Sequence, residues 1–342
     1  MTTNPEIDQA DPMAPPERMP AVVARGYGQP DMLSVEQVTV PTPKDGEVLV
    51  HVEASSLNAL DWHFLTGTPY LLRIMGGIRR PKRTVPGADV AGTVVATGPG
   101  VTDLRPGDAV FGECPGGGCA AYATVDATHV VAKPSGVPFE DAAATPIAGL
   151  TALQGLRTHA SVQPGDHVLI NGAAGGVGTF AVQIAKALGA EVTAVCSNRN
   201  VDMVRSLGAD TVIDYTSTDV VVGGPRFDVM FDNVGNRTPA ECLSVLRPDA
   251  RYVIITGPKT NRWLGPVPHI LRTALAFRRA SPSFHQFTAS PTHDDLTYLG
   301  ELLAASTITP AIQRTVGLDG VADGLAEIGT GHTRAKIVVK PV

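Results

Sequence analysis

The stretch "DHVLINGAAGGVGTFAVQIAKALGAEVTAVCS", residues 166–197, constrains the fold of this chain more than any other. "HVLI" is a short apolar run of the kind that is buried on both faces of a parallel sheet. A glycine-rich loop follows. Val177, Ala181, Ile184, Ala185 and Leu188 then recur on one helical face, and Gly189 is placed to end the helix. "EVTAVCS" opens a second strand. Strand, loop, helix and strand in this order make a βαβ unit. A helix start carries unpaired N–H groups and a positive dipole end, and missing side chains let an anion approach them. The three small positions of the G-x-G-x-x-G fingerprint are Ala173, Gly175 and Gly178, with Ala a departure at the first. The backbone of Ala174, Gly175, Gly176 and Val177 is therefore expected to hold the pyrophosphate of a dinucleotide. The plainer alternative is a tight packing turn.

The second strand should end near the adenosine ribose, where a carboxylate about 20 residues past the loop would mark NAD. Nineteen residues after Gly178 the tip reads Ser197-Asn198-Arg199-Asn200, with no carboxylate. A hydroxyl and a guanidinium suit a 2′-phosphate, so Ser197 and Arg199 point to NADPH. The alternative is that Arg199 is a solvated loop charge. Asn233 in "FDNVG" and Thr256 in "IITG" sit at the ends of later strand-like runs on the ligand side of such a sheet, or else cap their loops.

The chain has 342 residues, enough for about two domains of roughly 100–200 residues each. Residues 1–18, "MTTNPEIDQADPMAPPER", hold proline and acid with little to bury and are expected to form a flexible tail. From Met19, runs such as "AVVARGY", "EVLVHVEASS", "VAGTVVATG" and "HVVAKP" alternate with Gly, Pro and Asp turns, as in a small, mostly antiparallel β domain. After about residue 148 strands alternate with helices, the rhythm of a parallel sheet covered on both faces. Two more helical segments follow residue 288 or so. Leu296, Leu299, Leu302 and Leu303 share one face of the first, and the chain closes on the strand-like "AKIVVKP".

A net charge of −6 without a polybasic run argues against nucleic acid or an anionic membrane surface as main partner. No apolar stretch of 18 residues is free of charge and proline, so no membrane span is expected. The start of the chain lacks the pattern of a secretion signal. Cys114, Cys119, Cys196 and Cys242 are scattered and suggest no disulfide framework, so a reducing, cytoplasmic setting is expected.

"NGAAGGVGTFAVQIAKALGA", "EASSLNALDWHFLTG", "VPGADVAGTVVATG" and "RPGDAVFGE" together resemble the medium-chain dehydrogenase/reductases, and more narrowly their zinc-free quinone oxidoreductase branch. The resemblance runs from about residue 19 to the end. It implies an α/β protein in two parts. Residues 19–147 and 288–342 would form a GroES-like β domain, and residues 148–287 a Rossmann doubly wound parallel-sheet domain between them. The cleft at their junction would be the active site, and a homodimer would form through the Rossmann sheets. The resemblance also places Thr151 near the nicotinamide carboxamide and Tyr215 beside the adenine-ribose phosphate. The alternatives are a helix hydroxyl bonded to its own backbone and a surface tyrosine.

Zinc-dependent relatives hold their catalytic metal through a Cys, a Gly-His-Glu stretch and a later Cys or Asp. Here Asn58 stands at the first position, Ala88 and Asp89 at the second, and "AAATPIAGLTA" offers no thiolate. Cys114 and Cys119 alone do not make the four-Cys structural lobe, and no HExxH pair occurs, so no metal is expected. Hydride then passes most easily to an acceptor that spreads the incoming charge itself. The leading expectation is an NADPH-dependent, zinc-independent reductase of a quinone or α,β-unsaturated carbonyl, acting on a small apolar substrate. One alternative is a non-catalytic NADPH-binding protein of structural or regulatory role. Another is a reductase of simple ketones of the alcohol dehydrogenase type.

By resemblance Asn58 and Asp61 lie in the loop that faces the nicotinamide. Asn58 is expected to donate to the substrate oxygen. Asp61 either joins it or ties the loop to backbone amides. Tyr70, in "LTGTPY", lies in a loop similar to one that carries a proton-donating tyrosine in enoyl-thioester reductases; the alternative is a pocket wall with Trp62 and His63. Residues 259–287 are apolar with several arginines. A lid, a membrane-touching helix and an oligomer interface remain open for them.

Overall fold

The computed structural model describes residues 15–221, 226–258 and 261–341. Residues 1–14 of the expected tail lie outside the described residues. The tail's last residue, Arg18, already opens a strand, Arg18–Val23, antiparallel to Ser34–Thr39. Burial explains the correction: Met19, Ala21 and Val23 pack with Ala120 and Ala121.

The chain forms two large sheets. In the first, the strands run in the order Ile312–Val316, Lys336–Val339, Glu47–Leu57, Asp89–Thr97, Ala109–Glu113 and Val130–Ala132, and Tyr122–Asp126 also pairs with Glu47–Leu57. Every neighbour is antiparallel except the first pair. The C-terminal strand is thus stitched into the N-terminal half, with Ile337 opposite Leu57 and Val339 opposite Ser55.

The second sheet is wholly parallel. Its order is Thr211–Asp214, Glu191–Cys196, His167–Asn171, Phe227–Asp232, Leu246–Ile254, Ser283–Gln286. Sequence order therefore reverses between His167–Asn171 and Phe227–Asp232, and ligands of doubly wound folds bind at that switch point. Val168, Leu169 and Ile170 have no exposed surface, and burying each contributes roughly 1.5–3 kcal/mol. The crossover helix, Gly176–Ala187, turns Phe180, Ala181, Ile184 and Ala185 inward. It stops where Gly189 takes φ +84°, a left-handed value suited to glycine.

The helix Pro146–Leu153 joins the two sheets. Its Ile147 N–H donates to Asp89 Oδ1 at 2.9 Å, and Ala148, Leu150 and Leu153 belong to one core with Ala54 and Phe111 of the first sheet and Ile170 and Phe231 of the second. The two sheets therefore share one continuous apolar core. Among the described residues, no helix is long and apolar enough to cross a membrane.

Candidate active site

The glycines of the loop do different jobs. A Cβ on Gly178 would lie 2.2 Å from the Gly172 carbonyl oxygen, so the helix can seat against the loop only without a side chain there. A Cβ on Gly175 would meet nothing nearer than that same oxygen at 3.7 Å, so the space above it is open. Packing and cradle are both present, at different residues. The Ala174 carbonyl accepts from Ala335 N–H at 2.7 Å. A Cβ on Gly176 would sit 3.1 Å from Lys336 Cδ. The loop and the C-terminal strand thus form one wall. Val177 is half-buried in the first turn of the helix.

Next to the loop, Asp232 is wholly buried. It accepts from Asn171 Nδ2 at 2.8 Å, Tyr252 Oη at 2.9 Å and the N–H groups of Val234 and Gly235 at 3.0 and 2.9 Å. Burial, together with the Asp232 charge, holds the Tyr252 phenol far above its ordinary pKa, so it stays a donor. The turn fixed in this way presents Asn233, whose Oδ1 and Nδ2 are both buried without a partner. An unsatisfied buried polar group costs about 1–3 kcal/mol; a polar ligand seated beside the loop relieves it. Thr256 follows the neighbouring strand, and its carbonyl oxygen lies 2.4 Å from where a Cβ on Gly235 would stand, so the two strand-end loops touch.

At the far end of the loop, Arg199 donates to the His332 carbonyl at 2.8 Å and stays exposed. Ser197 Oγ accepts from Asn200 Nδ2 at 3.1 Å. Tyr215 is 49% exposed, and its N–H donates to Cys196 O. Asp214, which the sequence reading passed over, also stands here. Its carboxylate is taken up by Thr216 N–H and Oγ1, Ser217 Oγ and Asn198 Nδ2, which hold it below the usual carboxylate range.

At the other end of the loop, along the C-terminal strand, stands a buried polar cluster. Lys336 Nζ donates to Asn58 Oδ1 at 2.6 Å, Asp89 Oδ2 at 3.2 Å and Leu57 O at 3.3 Å. Asn58 Nδ2 donates to Asp89 Oδ2 at 2.8 Å and lies 3.4 Å from Ser56 O. The donor expected to meet a substrate oxygen is therefore turned inward. Asp61 accepts from Asn58 N–H at 2.8 Å and Gly87 N–H at 2.9 Å, the backbone-tying arrangement. Burial, the largest cause, pushes its carboxyl up to about 6, and Glu113 rises to about 7 through burial and the nearby Asp89 charge. Sequence reasoning missed Lys336 altogether: inside "AKIVVKP" it reads as an ordinary strand residue. Thr151 donates to Ile147 O at 2.7 Å, which leaves its lone pairs free to accept. Among the described residues, no group of three His, Cys, Asp or Glu converges as a metal would require.

Tyr70 stands apart from this cluster. Its ring meets Trp263 edge-on, with centroids 5.1 Å apart at 89°, and the Arg73 guanidinium lies 4.6 Å from its centre. His63 Nδ1 contacts the Thr68 carbonyl at 2.6 Å.

Comparison with known proteins agrees with this architecture. Residues 44–135 match the alcohol dehydrogenase GroES-like domain family, and residues 207–339 match a zinc-binding dehydrogenase family. A chloroplast envelope quinone oxidoreductase homolog of Arabidopsis thaliana is 33% identical over 321 residues, covering 89% of this chain and 93% of the relative. An NADPH-dependent alkenal/one oxidoreductase of the same plant is 31% identical, covering 96% and 81%. The structure of a quinone oxidoreductase from Coxiella burnetii superposes with a TM-score of 0.84 at 27% identity, covering 95% of this chain and all of the other. With its GroES-like sheet, its parallel sheet and the loop between them, the chain belongs to the medium-chain dehydrogenase/reductase superfamily, in the zinc-free quinone oxidoreductase-like branch.

Proposed function

We propose that this protein is an oxidoreductase that uses NADPH, without a metal, to reduce quinones or α,β-unsaturated carbonyls. The carrying observation is the junction of the open space above Gly175 with the orphaned Asn233 amide at the switch point. That junction fits a nicotinamide dinucleotide, which supplies a hydride when bound. The backbone of residues 174–177 would hold the pyrophosphate, Asn233 and Thr256 the nicotinamide half, and the Thr151 lone pairs the carboxamide. Arg199 would face the 2′-phosphate with Ser197 and Tyr215, while Asp214 keeps its charge within its own turn. The Lys336–Asn58–Asp89 cluster shapes the floor of the cleft. Asn58 and Asp61 act as positioning residues, and Tyr70 closes the mouth against Trp263.

The relatives named for quinone and alkenal/one reduction support the acceptor class. The four cysteines are all unpaired and buried, which suits the cytoplasm. The strand Ser283–Gln286 ends the parallel sheet and offers the edge through which a homodimer would pair. The test is turnover of NADPH and NADH across 1,4-quinones, enals, enoyl-thioesters and simple ketones. NADPH oxidation with quinones or enones, and none with simple ketones, is expected. Tight coenzyme binding with no turnover on the whole panel would instead give the protein a binding role.

A further inference from the structure

Two segments far apart in sequence meet on the surface. Tyr70 N–H donates to Arg262 O at 2.9 Å and Leu71 N–H to Trp263 O at 3.0 Å. Tyr70 stacks edge-on against Trp263, and Gly265 sits tightly on Pro69. The first segment leaves Leu71, Ile74, Met75 and Ile78 between 42% and 74% exposed. The second leaves Trp263 70% and Leu264 44% exposed, and the helix Val267–Phe277 that follows buries Thr273 and Phe277 while exposing Leu271 and Leu275. Most of the large, exposed apolar side chains among the described residues thus lie in these two segments, whereas single exposed apolar residues scattered elsewhere are ordinary.

The same segments are basic. Residues 70–83 carry Arg73, Arg79, Arg80, Lys82 and Arg83, and residues 261–279 carry Arg262, Arg272, Arg278 and Arg279; neither holds an Asp or Glu. These nine are a third of the chain's 27 Lys and Arg, on a protein of net charge −6. We propose that this face docks on the surface of a bilayer leaflet containing anionic lipid. Charge complementarity carries the choice of occupant. Arg73 is half-buried against Tyr27 and Tyr70, but the other eight are exposed, so two copies meeting on this face would set like charges against like, whereas anionic headgroups neutralise them while the apolar side chains enter the acyl boundary. Trp263 is the residue type that settles at that boundary. The expectation that a membrane surface is not a partner rested on the absence of a run of charge. Arg79, Arg80, Lys82 and Arg83 do form a short local run, and the fold sets the arginines of the second segment beside it.

The full-length protein tests this in flotation with vesicles of phosphatidylcholine, with and without phosphatidylglycerol. Flotation is expected only with phosphatidylglycerol, and salt should weaken it. Arg79→Ala and Arg80→Ala should each lower the partition coefficient about fivefold. Ile78→Ser with Trp263→Ser should abolish flotation. All four sites are exposed, and unchanged melting temperatures confirm that the variants fold. The proposal is overturned if the protein fails to float with anionic vesicles, or if all variants float like the parent. It is equally overturned if sedimentation shows that the Ser variants break a self-associated form that binds no vesicle.

Discussion

Lys336 Nζ lies 3.2 Å from Asp89 Oδ2, with the lysine side chain 2% and the aspartate side chain 0% exposed. Both charges are out of water, and Asn58 links them from the side. Removing one partner of a buried pair leaves the other uncompensated, at about 3–5 kcal/mol. Lys336→Met should lower unfolding stability by about that amount. Adding Asp89→Asn to Lys336→Met should cost less than the sum of the two single losses, because the pair is coupled. Urea unfolding of the four species measures the coupling. Additive losses would show that the two groups do not act as a pair.

The pair also marks the limit of what the chain discloses on its own. The βαβ pattern of residues 166–197 is local, and its loop, helix and second strand fall where apolar spacing puts them. Ser283–Gln286 escaped notice because an edge strand of four residues, "SFHQ", needs no apolar face of its own. Lys336 escaped because its partners are 278 and 247 positions away, and strand alternation does not reveal where a lysine finds its counter-charge. The inward turn of Asn58 follows from the same long-range contact. Arg73 and Arg262 meet around Tyr70 for a reason no local window contains.

Acidic groups of the cluster should make stability depend on pH. An acid whose pKa rises on folding binds more protons in the native than in the unfolded chain, so stability falls as pH climbs. Asp61 moves from 3.8 to about 6 and Glu113 from 4.5 to about 7. Their favourable contribution is complete only when both states are protonated, and it is lost between about pH 4 and 7. The urea midpoint should drop between pH 5 and pH 8, in a window above most of the carboxylates that fold to lower values. Glu113→Gln should remove its share of that slope, on the order of 3 kcal/mol. A slope unchanged in the variant would place the titration elsewhere.

Gly175 and Gly178 should respond oppositely to one methyl group. At Gly178 the methyl collides with backbone, which cannot move aside, so Gly178→Ala should unfold at markedly lower temperature. At Gly175 the backbone has φ −79° and the space is open, so Gly175→Ala should melt like the parent. It should nevertheless bind NADPH at least about tenfold more weakly, the loss of about one charge-assisted hydrogen bond. Fluorescence titration with NADPH and thermal melting separate the two effects.

Arg199 is held by one hydrogen bond to His332 O and keeps further donors free. A charge-assisted contact to phosphate is worth about 1.5–3 kcal/mol. Arg199→Ala should therefore raise KM for NADPH about tenfold or more and leave KM for NADH within about twofold. Equal effects on both coenzymes would make Arg199 a mere tie to the His332 loop.

Tyr70 is the residue at which a closing role and a proton-donating role part company. Its ring meets Trp263 edge-on, and its backbone N–H pairs with Arg262 O, the contacts by which it would close the proposed mouth. Phenylalanine keeps that ring contact and loses only the hydroxyl; alanine loses both. A closing role predicts that Tyr70→Phe holds kcat with enones within about threefold, whereas loss of a general acid costs about 10²–10⁴-fold. Tyr70→Ala should raise KM for enones and quinones alike, because the mouth is open for either acceptor. Steady-state kinetics on one enone and one quinone decide it. A kcat that collapses in Tyr70→Phe with the enone alone would return the hydroxyl to the chemistry.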